Sequence, residues 1–111
     1  MRVILSGAGF RTSEPLRVYA EHRVMSWLGH LERGLDVVTV RLTKETDPEG
    51  WRVRCRLVAR PVAGVSLVVE DLAVEETNAD LYEAIDRAPE RLARAFELAT
   101  RKRRRPVQAR V

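Results

Sequence analysis

Glu75-Glu76-Thr77-Asn78-Ala79-Asp80-Leu81-Tyr82-Glu83-Ala84-Ile85-Asp86 is the stretch on which the fold turns, because the chain changes its period there. Upstream, a strand-like run ends in an acidic, polar turn. Downstream, Leu81, Ile85, Ala88, Leu92, Phe96 and Ala99 recur at three- and four-residue spacing, which places them on one face of a long helix. Arg87, Arg91 and Arg94 lie on the other side, and the helix runs into Arg101-Lys102-Arg103-Arg104-Arg105. A helix that packs by one face and presents arginines on the other suits a partner carrying regularly spaced phosphates, RNA foremost.

Working outward, Val65–Glu76 reads as the strand that precedes this helix. Val65, Leu67 and Val69 share one phase while Leu72 and Val74 share the other, so a bulge is expected near Glu70-Asp71. Pro61–Gly64 reads as a turn. Trp51–Arg60 alternates without a break: Trp51, Val53, Cys55, Leu57 and Ala59 are expected to face inward, and Arg52, Arg54, Arg56 and Arg60 outward. Leu35–Thr43 alternates in the same way, and Lys44–Gly50 is a polar turn region. Nearer the N-terminus, Arg2–Gly7 is a short strand. Ser13-Glu14-Pro15 supplies an N-cap, an early acid and a first-turn proline for a helix over residues 14–31, stopped by Gly34. Its apolar stripe is Leu16, Tyr19, Ala20, Val24, Trp27, Leu28 and Leu31. Trp27 and Trp51 read as core anchors rather than base-stacking platforms.

The order is thus β-α-β-β-β-α, an α+β fold with both helices packed on one face of a four-stranded sheet, like a double-stranded-RNA-binding domain. The last three strands form an antiparallel meander. The first enters through a helical crossover and is expected to lie parallel to a neighbour.

Composition narrows the function classes. A chain of 111 residues that is 45% hydrophobic and 32% charged can bury one modest core, so a single domain over residues 1–105 with a tail over 106–111 is expected. No apolar run approaches the roughly 18 residues that span a bilayer, and the N-terminus is too short for a signal peptide. The lone Cys55 has no partner for an internal disulfide, which fits a reducing cytoplasm. The net charge of +4 comes from the end of the chain: residues 101–111 hold six basic residues and no acid, leaving 14 of the 20 basic residues against 16 acids. Such a tail fits a polyanionic partner.

Catalytic and cofactor signatures are missing from the sequence. His22 and His30 stand on one helix without Cys or carboxylate at ligand spacing, so no metal is expected. Gly7-Ala8-Gly9 lacks the third glycine of a dinucleotide fingerprint, and no serine sits in a nucleophile elbow. Neither an enzyme, a cofactor, a small-molecule substrate nor a membrane partner is expected. With no heptad seam visible, the chain is expected to be a monomer.

Two segments carry a family resemblance. Ser13-Glu14-Pro15-Leu16-Arg17-Val18-Tyr19 resembles the helix-opening Thr-(Glu/Pro)-Ala-Leu-Arg-x-Tyr of the ribosome hibernation-promoting factor family, also called ribosome-associated inhibitors or ribosomal subunit interface proteins. Asp80-Leu81-Tyr82-Glu83-Ala84-Ile85-Asp86 resembles that family's Asp-Met-Tyr-x-Ala-Ile-Asp. The resemblance covers nearly the whole chain. It implies a protein that binds the small ribosomal subunit and its rRNA near the decoding centre, blocks mRNA and tRNA, and idles the ribosome under stress. It also implies a short form, without the second domain that long members append. Carried over residue by residue, it puts basic positions at Arg23, Arg91 and Arg94, continued by Arg101 and Lys102; Arg87, Arg103, Arg104 and Arg105 extend the same surface. Ser26, Gly29 and Leu98 stand where the family is often basic, and Pro89 where it has an aliphatic residue, so the second helix is expected to kink or break there.

Blander readings stand beside these. Glu83, Glu90 and Glu97 precede Arg87, Arg94 and Arg101 by four residues, the spacing of ordinary helix-surface ion pairs. Cross-strand pairing with acids of the last strand, such as Glu70, would explain the Arg52/Arg54/Arg56/Arg60 stripe without RNA. An RNA-binding module with another structured target, or a protein-interaction domain with a solubilising tail, therefore stays open.

Overall fold

The structure, a computed structural model, describes residues 1–9, 11–66 and 68–104. Its elements run β1 (Arg2–Ala8), α1 (Glu14–Leu28), a 3-10 segment (Gly29–Gly34), β2 (Leu35–Asp47), β3 (Gly50–Pro61), β4 (Leu72–Asn78) and α2 (Leu81–Arg104). The strands form one sheet in the order β1-β2-β3-β4. β1 is parallel to β2, with Val3 opposite Val38. β2, β3 and β4 are antiparallel, so Leu42 meets Cys55, and Leu57 meets Val40 on one side and Val74 on the other. This is the α+β order read from the sequence.

Alternation places Val38, Val40, Leu42, Val53, Cys55, Leu57 and Ala59 on one face, where all are buried. Leu16, Ala20, Val24 and Leu28 of α1 and Ala84, Ile85, Ala88, Leu92 and Phe96 of α2 close that face into a single core. Each fully buried leucine or isoleucine there contributes about 1.5–3 kcal/mol. Pro89 sits inside α2 without breaking it and is itself fully buried, so apolar contact offsets the lost backbone donor.

Four features differ from the sequence reading. First, α1 ends at Leu28 and tightens into the 3-10 segment, and Gly34 is not a left-handed stop. Gly34 instead passes close to the chain beyond β3: its carbonyl accepts from Val62 N at 2.8 Å, and a Cβ there would lie 3.5 Å from that of Ser66. Second, β2 and β3 extend through the supposed polar region to a two-residue turn at Pro48-Glu49, in which Asp47 Oδ1 accepts from Glu49 N at 2.9 Å. Third, β4 starts at Leu72, not Val65. Its register sets Leu72 opposite Ala59, and β3 ends two residues later at Pro61, so upstream residues have no strand to pair with. They bond locally instead: Ser66 N donates to Val62 O, and Val68 N to Ser66 Oγ. The change of phase is a loop, and no bulge is needed.

Fourth, neither tryptophan is a core anchor. Trp51 has the inward phase but lies on the end of the hairpin that outreaches the helices; it is 48% exposed, with Lys44 Nζ 5.2 Å from its ring centroid. Trp27, at 37% exposure, lies at the margin of the core rather than in it.

Cys55 lies at the centre of the covered face. Burial, aided by the charge of Glu76, pushes its thiol up to about 12. The native thiol should therefore resist Ellman's reagent at pH 8 and react fully only in denaturant. Rapid stoichiometric labelling of the folded chain would contradict this packing.

Candidate RNA interface

The two helices are started by side chains and then joined by them. Ser13 Oγ caps α1 by accepting from Leu16 N at 3.2 Å. Asp80 Oδ1 accepts from Tyr82 N at 2.8 Å and Glu83 N at 3.2 Å, and Asn78 Oδ1 holds Asp80 N at 2.9 Å. The acidic turn before α2 is thus a capping device that satisfies otherwise unpaired amides.

One and a half turns into α2, Asp86 faces α1. The Tyr19 hydroxyl donates to Asp86 Oδ1 at 2.5 Å, and Arg23 Nε lies 2.9 Å from the same oxygen. That Nε is buried and lacks hydrogen-bond geometry, so its contact is an ion pair. Tyr82 meets Tyr19 edge-on, with ring centroids 5.0 Å apart. The two segments that carry the family resemblance therefore touch at this latch. Arg23, read from the sequence as an RNA-facing residue, is half-buried within it.

Arg87, Arg91, Arg94 and Arg101 of α2 are exposed, each with an acidic partner. Arg87 pairs with Glu83 at 2.7 Å, Arg94 with Glu90 at 2.8 Å and Arg101 with Glu97 at 2.6 Å, all one helical turn apart. Arg91 differs. Its Nη1 reaches across to β4, donating to Glu76 Oε2 and Glu75 O, both at 2.8 Å. Glu76 is only 15% exposed, so Arg91 satisfies a carboxylate turned toward the core face and ties α2 to the sheet edge. Lys102 is exposed, and the backbone of α2 includes Arg103 and Arg104. Arg105 lies outside the described residues.

The uncovered sheet face carries the other arginine stripe. Arg54 pairs with Glu45 at 2.6 Å and Arg56 with Glu75 at 2.9 Å, while Arg52 sits 3.4 Å from Asp47. These are cross-strand partners, as the bland reading expected; Glu75 belongs to the last strand, β4, while Glu45 and Asp47 come from β2. Glu70 precedes β4 and takes no part in the ladder.

No three His, Cys, Asp or Glu among the described residues are grouped to hold a metal, and no described helix is long and apolar enough to cross a membrane.

Residues 3–104 match the family described as sigma 54 modulation protein / S30EA ribosomal protein. The chain belongs to that family. The S30EA family is non-enzymatic. Its fold recurs in solved structures. A ribosomal subunit interface protein from Coxiella burnetii matches with a TM-score of 0.71 at 11% identity, over 90% of this chain and 98% of that one. The N-terminal domain of Protein Y from Thermus thermophilus matches with a TM-score of 0.61 at 24% identity, over 88% and 98%. No curated protein matches the chain. At these identities the structural likeness is one of fold, and family membership rests on the sequence match.

The latch has a testable pH signature. Its hydrogen bond to Asp86, and secondarily burial, raise the Tyr19 phenol above its ordinary value. A raised pKa stabilises the fold below about pH 10, where the unfolded phenol is still protonated, and that contribution fades as pH climbs through the folded value. Tyr19→Phe should cost about 1–2 kcal/mol in urea unfolding at pH 7. The difference from the parent should shrink at strongly alkaline pH; an equal difference at both would contradict the hydrogen bond.

Proposed function

We propose that this chain binds the small ribosomal subunit through its rRNA near the decoding centre and idles the ribosome by filling space that mRNA and tRNA need. No bond is made or broken. The binding unit is residues 1–105, acting as a cytoplasmic monomer without a cofactor. Membership of the S30EA family over residues 3–104 supports the ribosomal partner. The observation that carries the rRNA contact is the exposed arginine row of α2, continued by the basic run from Arg101 to Arg105.

The geometry sorts that row. Exposed pairs one helical turn apart are worth only about 0.3–0.5 kcal/mol. Arg87, Arg94 and Arg101 can therefore leave Glu83, Glu90 and Glu97 for a phosphate at small cost. Glu83 also raises the pKa of Arg87, whose charge is permanent. Arg91 and Arg23 hold half-buried carboxylates, and releasing them would strand those charges. They serve the fold first. Beyond the Arg101–Glu97 pair, the sequence adds four consecutive basic residues, 102–105, which repel one another unless an anion neutralises them.

Co-sedimentation with isolated small subunits tests this. Arg94→Ala combined with Arg101→Ala should weaken binding about ten-fold or more while costing no more than about 0.5 kcal/mol of stability per replaced arginine. It should also flatten the log–log salt dependence by about one unit per lost phosphate contact. Arg91→Ala should instead cost about 1 kcal/mol of stability. A folded Arg94/Arg101 variant that sediments like the parent, with the same salt slope, would remove α2 as the RNA-facing surface.

A further inference from the structure

Where α1 passes into the 3-10 segment, a cleft opens between that turn and the second half of α2. It consists of two adjoining hollows of about 580 and 310 Å³ that share His30 and Phe96 in their walls. Each is within the range of small-molecule sites. The floor is apolar: Phe96 is 3% exposed, and the Trp27 ring, 37% exposed, forms one side. The rim is cationic, with Arg94 and Arg101 beside the larger hollow and Arg33 beside the smaller. Glu97 is the acid in that wall, and it already neutralises Arg101. Arg33 has no acidic partner among the described residues.

An indole, an imidazole and a phenyl ring below a rim of guanidinium groups suit a ligand with a flat apolar body and an anionic edge. Unpaired bases stack on aromatic and histidine side chains, and their phosphates pair with arginine. A duplex cannot use such a cleft, because its bases are already stacked inside the helix. An apolar protein side chain would use the floor but leave the cationic rim unanswered. We infer that this cleft takes one unpaired nucleotide of an RNA strand, with its base against Trp27 and its phosphate on Arg94 or Arg101. The inference rests on the RNA-binding reading above and adds to it a base-recognition element for single-stranded RNA beside the phosphate-binding arginines of α2.

The test uses the fluorescence of Trp27 in a Trp51→Phe background, where it is the only tryptophan. A short single-stranded oligoribonucleotide should quench its emission, and a duplex of equal phosphate content should not. Trp27→Ala, which keeps every arginine, should lower affinity for the single strand about ten-fold, and Trp27→Phe should retain most of it. Circular dichroism checks that the variants fold, and the Trp27→Phe comparison holds even if Trp27→Ala does not. Absence of quenching, or equal quenching by the duplex, overturns the inference. Saturation by adenosine monophosphate at the same concentration also overturns it, in favour of a free nucleotide. Sedimentation of the parent with small subunits while Trp27 stays unquenched removes the cleft and spares ribosome binding. Quenching by the single strand without sedimentation does the reverse.

Discussion

Covering one face of the sheet is the constraint on which the rest of the molecule depends. β2 and β3 present Val38, Val40, Leu42, Val53, Cys55 and Leu57 on a single side, and α1 and α2, joined by Val68 from the loop before β4, keep water from it. Ala20, Ala84 and Ala88 are fully buried, and their small size lets the helices approach closely while Leu28, Ile85 and Leu92 fill the space between. Truncating one of those larger side chains to alanine would cost about 2–5 kcal/mol, much of what a domain this size has. The opposite sheet face has no such cover, and it carries paired arginines and acids beside a few aliphatic residues such as Ile4 and Val58.

That division leaves no charged or polar residue buried as a whole among the described residues, although Glu76 is turned toward the core face. The surface charges then fall into two kinds of pair. Pairs between elements, such as Arg91 with Glu76 and Arg23 with Asp86, restrain helices against the sheet or each other and protect half-buried carboxylates. Pairs within α2 join neighbours already fixed by the helix and restrain nothing further. A binding surface is best drawn from the second kind, because giving those pairs up leaves the fold intact. Arg91 and Arg94, identical in type, thus differ in how far each restrains the fold.

The latch around Asp86 shows how a local motif acquires a tertiary role. Asp80 is spent on capping α2, and Asp86, six residues on, emerges where α1 passes. Tyr19 and Arg23 are likewise one helical turn apart, so both reach the same carboxylate. The helix crossing they secure also positions Trp27 opposite Phe96, and the cleft at the end of α1 is a by-product of that arrangement.

Local chemistry was enough to determine the element order, the Ser13 cap of α1, the inward faces of β2 and β3 and the (i, i+4) pairs of α2. Each rests on contacts between residues near in sequence or on the two-residue alternation of a strand, which the chain carries within itself. The start of β4 was not legible, because strand identity needs a partner, and β3 ends at Pro61 before Val65–Glu70 could pair. Trp51 kept its inward phase, but how far the helices reach decided that it would stay exposed. Arg23, Arg91 and Arg94 are indistinguishable in sequence as basic positions on helix surfaces. What separates them is which carboxylates from distant segments lie within about 3 Å, a distance at which charge-assisted hydrogen bonds form and one that only the packing of α1, α2 and β4 sets.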